Sequence, residues 1–215
     1  MKIKAIYFDC DGTLLDTLQD IHEALNHTLK ELGLPNVTKD QTRSFIGNGL
    51  RNLLRKALNS EDVDFALARF HHYYDANLIE HSVPYEGILE FLDELRTMGI
   101  TLGMISNKTD RYIQRLTKHF FVEKFDVVLG ERMDLRRKPY RDMLDYALNQ
   151  TSHSIEEIIF VGDSLVDAAF IKEHQLKGAL VTYGFENEDV LRSTGLPCFS
   201  DVRSLRNWIL PQISS

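Results

Sequence analysis

Apolar residues fall into two rhythms along this chain. The runs Ile3 to Phe8, Ile100 to Ile105, Val127 to Leu129, Ile158 to Val161 and Ala179 to Val181 are short and barely alternate with polar positions. That is the pattern of strands buried on both faces. From residue 86 onward, amphipathic helical stretches near 87–98, 109–119, 140–149, 165–175 and 187–194 separate the later runs. Strands alternating with helices of this length predict βαβ units with right-handed crossovers, hence an α/β fold built on a parallel sheet.

Residues 17 to about 84 break that rhythm and read as helix after helix. Ile21, Ala24, Leu25, Thr28, Leu29 and Leu32 form one stripe, closed by Gly33. Leu50, Leu53, Leu54, Ala57 and Leu58 form a second, and Phe65, Leu67, Ala68, Phe70 and Tyr74 a third. No strand signal is visible there. A helical insert between the first strand and the rest of an α/β sheet suggests a cap. Its two crossings, near Leu14–Thr17 and Ser82–Gly87, would lie close together and could hinge. The expected division is a core of residues 1–15 and 85–215 with a cap of residues 16–84.

The ends of the apolar runs carry the chemistry. The first is followed by Asp9-Cys10-Asp11-Gly12-Thr13, the second by Ser106-Asn107-Lys108, the third by a loop containing Lys138-Pro139. The fourth is followed by Gly162-Asp163-Ser164, with Asp167 one helical turn later. Open α/β sheets place their ligands at these carboxyl ends. Each feature alone is also an ordinary turn, cap or solvated charge run. Together they suit phosphoryl transfer to a carboxylate, which sets an anion against anions and needs cations to neutralise the site. Asp9, Asp163 and the carbonyl of Asp11 would hold Mg²⁺ through oxygen. Ser106 would donate to a phosphate oxygen, and Lys138 would balance the remaining charge, with Lys108 a competitor for that role.

Composition narrows the partners. A formal net charge of −7 on 215 residues argues against general affinity for nucleic acid or anionic membranes, yet a local cation can still recruit a phosphorylated metabolite. The two cysteines, Cys10 and Cys198, read as reduced thiols. No apolar run approaches membrane-spanning length and no signal-peptide pattern is present, so a cytoplasmic location is expected, as a monomer or homodimer. His71-His72 is adjacent rather than spaced for zinc, and Trp208 reads as a packing anchor.

With these motifs in this order, the chain resembles the haloacid dehalogenase superfamily, specifically its phosphatases, over nearly its whole length. The matching residues are Asp9 to Thr13, Ser106, Lys138-Pro139, and Gly162-Asp163 through Asp167. The resemblance implies a Rossmann-like parallel-sheet core with a helical cap inserted after the first strand. It implies a Mg²⁺-dependent phosphatase in which Asp9 is the nucleophile and forms an aspartyl-phosphate. Asp11 would protonate the leaving oxygen and then activate water; Ser106, Asn107 and Lys138 would bind phosphate. Asp9, Asp11 and Asp163 would be the metal ligands, with Asp167 behind them. The family's dehalogenases lack a carboxylate at the position of Asp11, so carbon–halogen cleavage is not expected.

Asp16 to Ile21, Ile46-Gly47-Asn48-Gly49-Leu50, Ser106 to Lys108 and Thr182-Tyr183-Gly184 look like the corresponding segments of phosphoglycolate phosphatases. Gly47, Asn48 and Gly49 could let the cap backbone approach a small anion, with Arg51 as its counter-charge. The β-phosphoglucomutases usually carry a His where this chain has Ile21, and His22 falls one residue late. Phosphotransfer of that kind, pyrophosphatase activity, or a phospho-accepting signalling module are the alternatives.

Overall fold

The structure, a computed structural model, describes residues 2–213. After β1 (Ala5–Phe8) the chain forms a two-residue strand, β2 (Leu15–Asp16). Four helices follow: α1 (Leu18–Glu31), α2 (Lys39–Phe45), α3 (Leu50–Leu58) and α4 (Asp64–Asn77). The chain returns through β3 (Val83–Pro84) and then alternates: α5 (Ile88–Thr97), β4 (Thr101–Thr109), α6 (Asp110–Phe120), β5 (Val127–Glu131), α7 (Asp142–Thr151). It ends with β6 (Ile158–Gly162), α8 (Leu165–Glu173), β7 (Lys177–Val181), α9 (Glu188–Ser193), β8 (Cys198–Phe199) and α10 (Val202–Ile213).

Six strands form one sheet in the order β5-β4-β1-β6-β7-β8, every neighbouring pair parallel. The chain leaves β1 toward β4 on one side and is met by β6 on the other, so the strand order reverses at β1. A crevice opens at such a point, outside the carboxyl ends of the strands. Alternate residues of β1 feed two apolar layers. Ile6 and Phe8 pack with residues of α5, α6 and α10, while Ala5 and Tyr7 pack with residues of α7, α8 and α9. This is the α/β parallel-sheet architecture that the alternation predicts and the Rossmann-like core that the resemblance implies.

The helices between β2 and β3 cohere through α1 and α4: Ile21, Ala24, Leu25, Thr28 and Leu29 are buried, as are Ala66, Phe70 and Tyr74. The third predicted stripe needs correcting. Phe65 is 59% exposed, with the Arg69 guanidinium over its ring, and Ala66 rather than Ala68 faces inward. The crossings also hold a strand pair that the sequence does not announce. Leu15 lies opposite Pro84 and Asp16 opposite Val83, antiparallel. From α1, the buried Asp20 carboxylate accepts from the backbone N–H of His81 and of Ser82, at 2.9 and 2.8 Å, and from the Ser82 hydroxyl at 2.6 Å. Among the described residues, no helix is long and apolar enough to cross a membrane.

Candidate active site

The turn after β1 is built by its own backbone. The Cys10 carbonyl accepts from the N–H of Leu14 at 3.0 Å and of Leu15 at 3.1 Å, while Asp9 keeps its N–H in the sheet on the Val161 carbonyl. Gly12 sits at φ +80°, where L side chains are strained, and a Cβ there would collide with the Asp163 carboxylate. Gly184 lies equally close to that carboxylate from the other side. Asp163 is thereby cradled between two backbones. Its oxygens accept from the Thr13 hydroxyl at 3.1 Å and the Phe185 N–H at 2.8 Å.

Asp9, Asp163 and Asp167 converge, with one carboxylate oxygen from each within 4.8 Å of the others, all three residues buried. Lys138 is buried among them, its ammonium 2.7 Å from Asp167 Oδ1 and 3.2 Å from Asp9 Oδ2. Asp167 is further fixed by the Ser164 hydroxyl at 2.6 Å, part of the box that caps α8. Burial pushes the Asp9 carboxyl up to about 6, Lys138 and the Ser106 hydroxyl pulling down and Asp167 pushing up. Asp163 is held well above the ordinary carboxylate range, first by burial, then by Asp167 and Asp9. Burial works against the Lys138 charge, but Asp167 and Asp9 outweigh it, so the ammonium sits above the ordinary lysine value.

That balance bears on a metal. Three buried carboxylates face one buried ammonium, leaving an excess of negative charge lined by hard oxygen donors. Such a site fits a divalent cation. Asp9 and Asp163 have oxygens turned to the cluster, whereas Asp167 is taken up by Lys138 and Ser164.

Asp11 faces elsewhere. Its side chain accepts from the Thr17 hydroxyl at 2.7 Å and, at both oxygens, from Lys108 Nζ at 3.0 and 3.2 Å. The two lysines that the sequence sets in competition therefore divide the work: Lys138 serves Asp9 and Asp167, Lys108 serves Asp11. Burial opposes the Lys108 charge, yet Asp11 and Tyr74 more than offset it and raise the ammonium above its usual value. Ser106 and Asn107 lie inside β4, which runs past Ile105 to Thr109 with a register shift where it bends beside β5. Asn107 donates to the Gly47 carbonyl at 3.1 Å and the Lys138 carbonyl at 3.0 Å, spanning helical unit and sheet.

A cavity of about 160 Å³ joins these groups, with Asp9, Asp11, Ser106, Asn107, Lys108 and Asp163 on the sheet side. Ile21, Arg43, Ser44, Gly47, Gly49, Leu53, Phe70 and Tyr74 line it from the helical unit. Gly47 and Gly49 are thus at the cavity, but Asn48 and Arg51 are not brought there. Asn48 is exposed, and Arg51, two residues into the helix that Gly49 opens, turns to the Asp64 carboxylate at 2.6 Å. Sequence reasoning missed Arg43, Ser164, Phe185 and the hydroxyl of Tyr74. Ser164 carried a signal in its capping-box spacing to Asp167; the others look like surface or core positions.

The sequence profile of the haloacid dehalogenase-like hydrolases matches residues 6–181. A phosphoglycolate phosphatase of Agrobacterium fabrum is 32% identical over 83% of this chain and 80% of its own length. One from Nitrosospira multiformis is 31% identical over 95% of this chain and 93% of its own. Among solved structures, a haloacid dehalogenase-like family hydrolase from Streptococcus pneumoniae superposes with a TM-score of 0.88 at 26% identity, covering 96% of this chain and 98% of that one. The chain belongs to the haloacid dehalogenase-like hydrolases. Within them it is phosphoglycolate phosphatase-like, a phosphoric monoester hydrolase.

Proposed function

We propose that the protein hydrolyses a small organophosphate monoester of the phosphoglycolate type, with Mg²⁺, through an aspartyl-phosphate on Asp9. The observation that supports this reading most is the separation of Asp9 from Asp11. One carboxylate lies in a buried acidic cluster beside Lys138; the other lies outside it, beside Lys108. Two carboxylates with different neighbours can take different parts.

Asp9 Oδ attacks phosphorus as the ester P–O bond breaks, and the Asp11 carboxyl gives its proton to the leaving oxygen. Water then attacks the aspartyl-phosphate, its proton passes to Asp11, and the bond between phosphorus and Asp9 breaks to release orthophosphate. Ser106, Asn107 and Lys138 orient the phosphoryl oxygens and offset their charge. Asp9, Asp163 and the Asp11 carbonyl hold Mg²⁺, which when bound neutralises phosphoryl charge. Residues 16–84 act as a cap hinged at the β2–β3 ribbon, and the small cavity beneath them suits a substrate of few atoms. The names of the Agrobacterium and Nitrosospira relatives support phosphoglycolate as the first substrate to try.

The test is a phosphate-release assay on a panel that includes 2-phosphoglycolate and p-nitrophenyl phosphate. Turnover is expected with Mg²⁺, lost with EDTA and lost in Asp9→Asn. No turnover on any ester with Mg²⁺ present would overturn the reading.

A further inference from the structure

Lys108 is more than a neighbour of Asp11, because its ammonium also donates to the helical unit. An ammonium has three N–H groups. The Asp11 carboxylate takes one direction, its oxygens 3.0 and 3.2 Å from Nζ, and the hydroxyl of Tyr74 on α4 takes another, at 2.8 Å. Both residues are buried, Tyr74 at 2% exposure and Lys108 at 9%.

Tyr74 is in turn held against the core by α6. Its ring meets Tyr112 edge-on at 4.9 Å, and His71, one turn earlier on α4, shares a 2.6 Å hydrogen bond with the Tyr112 hydroxyl. One residue on, Asp75 pairs with Arg111 at 3.0 Å. The place of the Tyr74 hydroxyl is therefore set by how α4 lies on α6. Asp11 has one other side-chain anchor, the Thr17 hydroxyl, at the first crossing into the helical unit. Both of its supports trace back to that unit.

We propose that Tyr74 is a positioning residue for the water step, aligning Asp11 through Lys108 only when α4 is seated. This rests on the phosphatase reading above. The ammonium alone does not fix the direction of the carboxylate; the tyrosine fixes the ammonium. Removing the hydroxyl leaves a buried donor without its acceptor, so Nζ shifts and Asp11 follows. A displacement of about 1 Å in a reacting group can cost about 10²-fold in rate.

Tyr74→Phe isolates the point, since it keeps the ring contacts and removes the hydroxyl. p-Nitrophenyl phosphate suits the assay, because nitrophenolate leaves without needing a proton while release of phosphate from Asp9 still needs Asp11. Stopped-flow with Mg²⁺ should show the first turnover of Tyr74→Phe near the wild-type rate and its steady state slower by between about tenfold and 10²-fold. Lys108→Met should show the same split, which keeps the test alive if the tyrosine variant misfolds. A wild-type steady state in both variants would overturn the proposal. So would an equal fall in both phases, the mark of general damage. If wild-type protein itself releases no nitrophenol, the phosphatase reading falls first and takes this inference with it.

Discussion

Asp9 and Asp11 are separated by one residue, yet they lie in different surroundings. Burial lifts Asp9 to about 6, above the ordinary carboxylate value near 4. A carboxyl raised in the folded state contributes its full stability below the unfolded value and loses it as pH rises through the folded one. This group alone therefore makes the metal-free protein less stable as pH climbs from about 4 to about 6. Over the same window the site loses a proton that competes with a cation, so metal binding strengthens. Thermal melts should accordingly show a larger Tm gain from Mg²⁺ at about pH 7.5 than at about pH 5. An equal gain at both would mean that Asp9 does not hold the ion. These residues were readable in the sequence because each follows an apolar run directly. Tyr74 was not: a tyrosine at helical spacing in an apolar stripe reads as core, and its partner Lys108 is 34 residues away. Arg51 misled for the converse reason. A cation near two glycines suggests an anion site, but helix geometry gives it to Asp64.

At the scale of elements, the β2–β3 ribbon and Asp20 tie the helical unit to the sheet. A strand of two residues has no period to detect, and the sequence showed only that two crossings should lie close. The Asp20 carboxylate, in the first turn of α1, accepts three hydrogen bonds from the returning chain. Asp20→Ala would orphan the buried Ser82 N–H and free the more exposed His81 N–H to water, costing between about 1 and 3 kcal/mol. For a chain of this size each kcal/mol lowers Tm by about 2 to 4 °C. Calorimetry showing an unchanged Tm would contradict that role. Five of the six sheet strands, by contrast, were legible almost to their ends, whereas the two-residue β8 went unseen. Of those five, β4 is the exception, because the polar residues Ser106 to Thr109 hide its continuation past Ile105.

For the whole molecule, the parallel sheet explains why four distant segments meet. Asp9, Ser106, Lys138 and Asp163 all follow from strands or loops at one edge, around the strand where the order reverses. The helical unit then roofs that edge and adds Gly47, Phe70 and Tyr74 to the same cavity. Of the roof, Gly47 and Gly49 were read from the sequence and lie at the cavity, while Arg43, Phe70 and Tyr74 were not, because helix packing rather than motif decides which side chains point down. In the proposed reaction Asp9 carries the phosphoryl group. Acid quenching during turnover with Mg²⁺ and 2-phosphoglycolate, followed by peptide mass spectrometry, tests it most directly. A phosphoryl adduct is expected on the peptide that holds Asp9, absent in Asp9→Asn, and accumulating in Asp11→Asn when p-nitrophenyl phosphate, whose leaving group needs no proton, replaces 2-phosphoglycolate. Full phosphate release with no adduct in either the wild type or Asp11→Asn would contradict that role for Asp9.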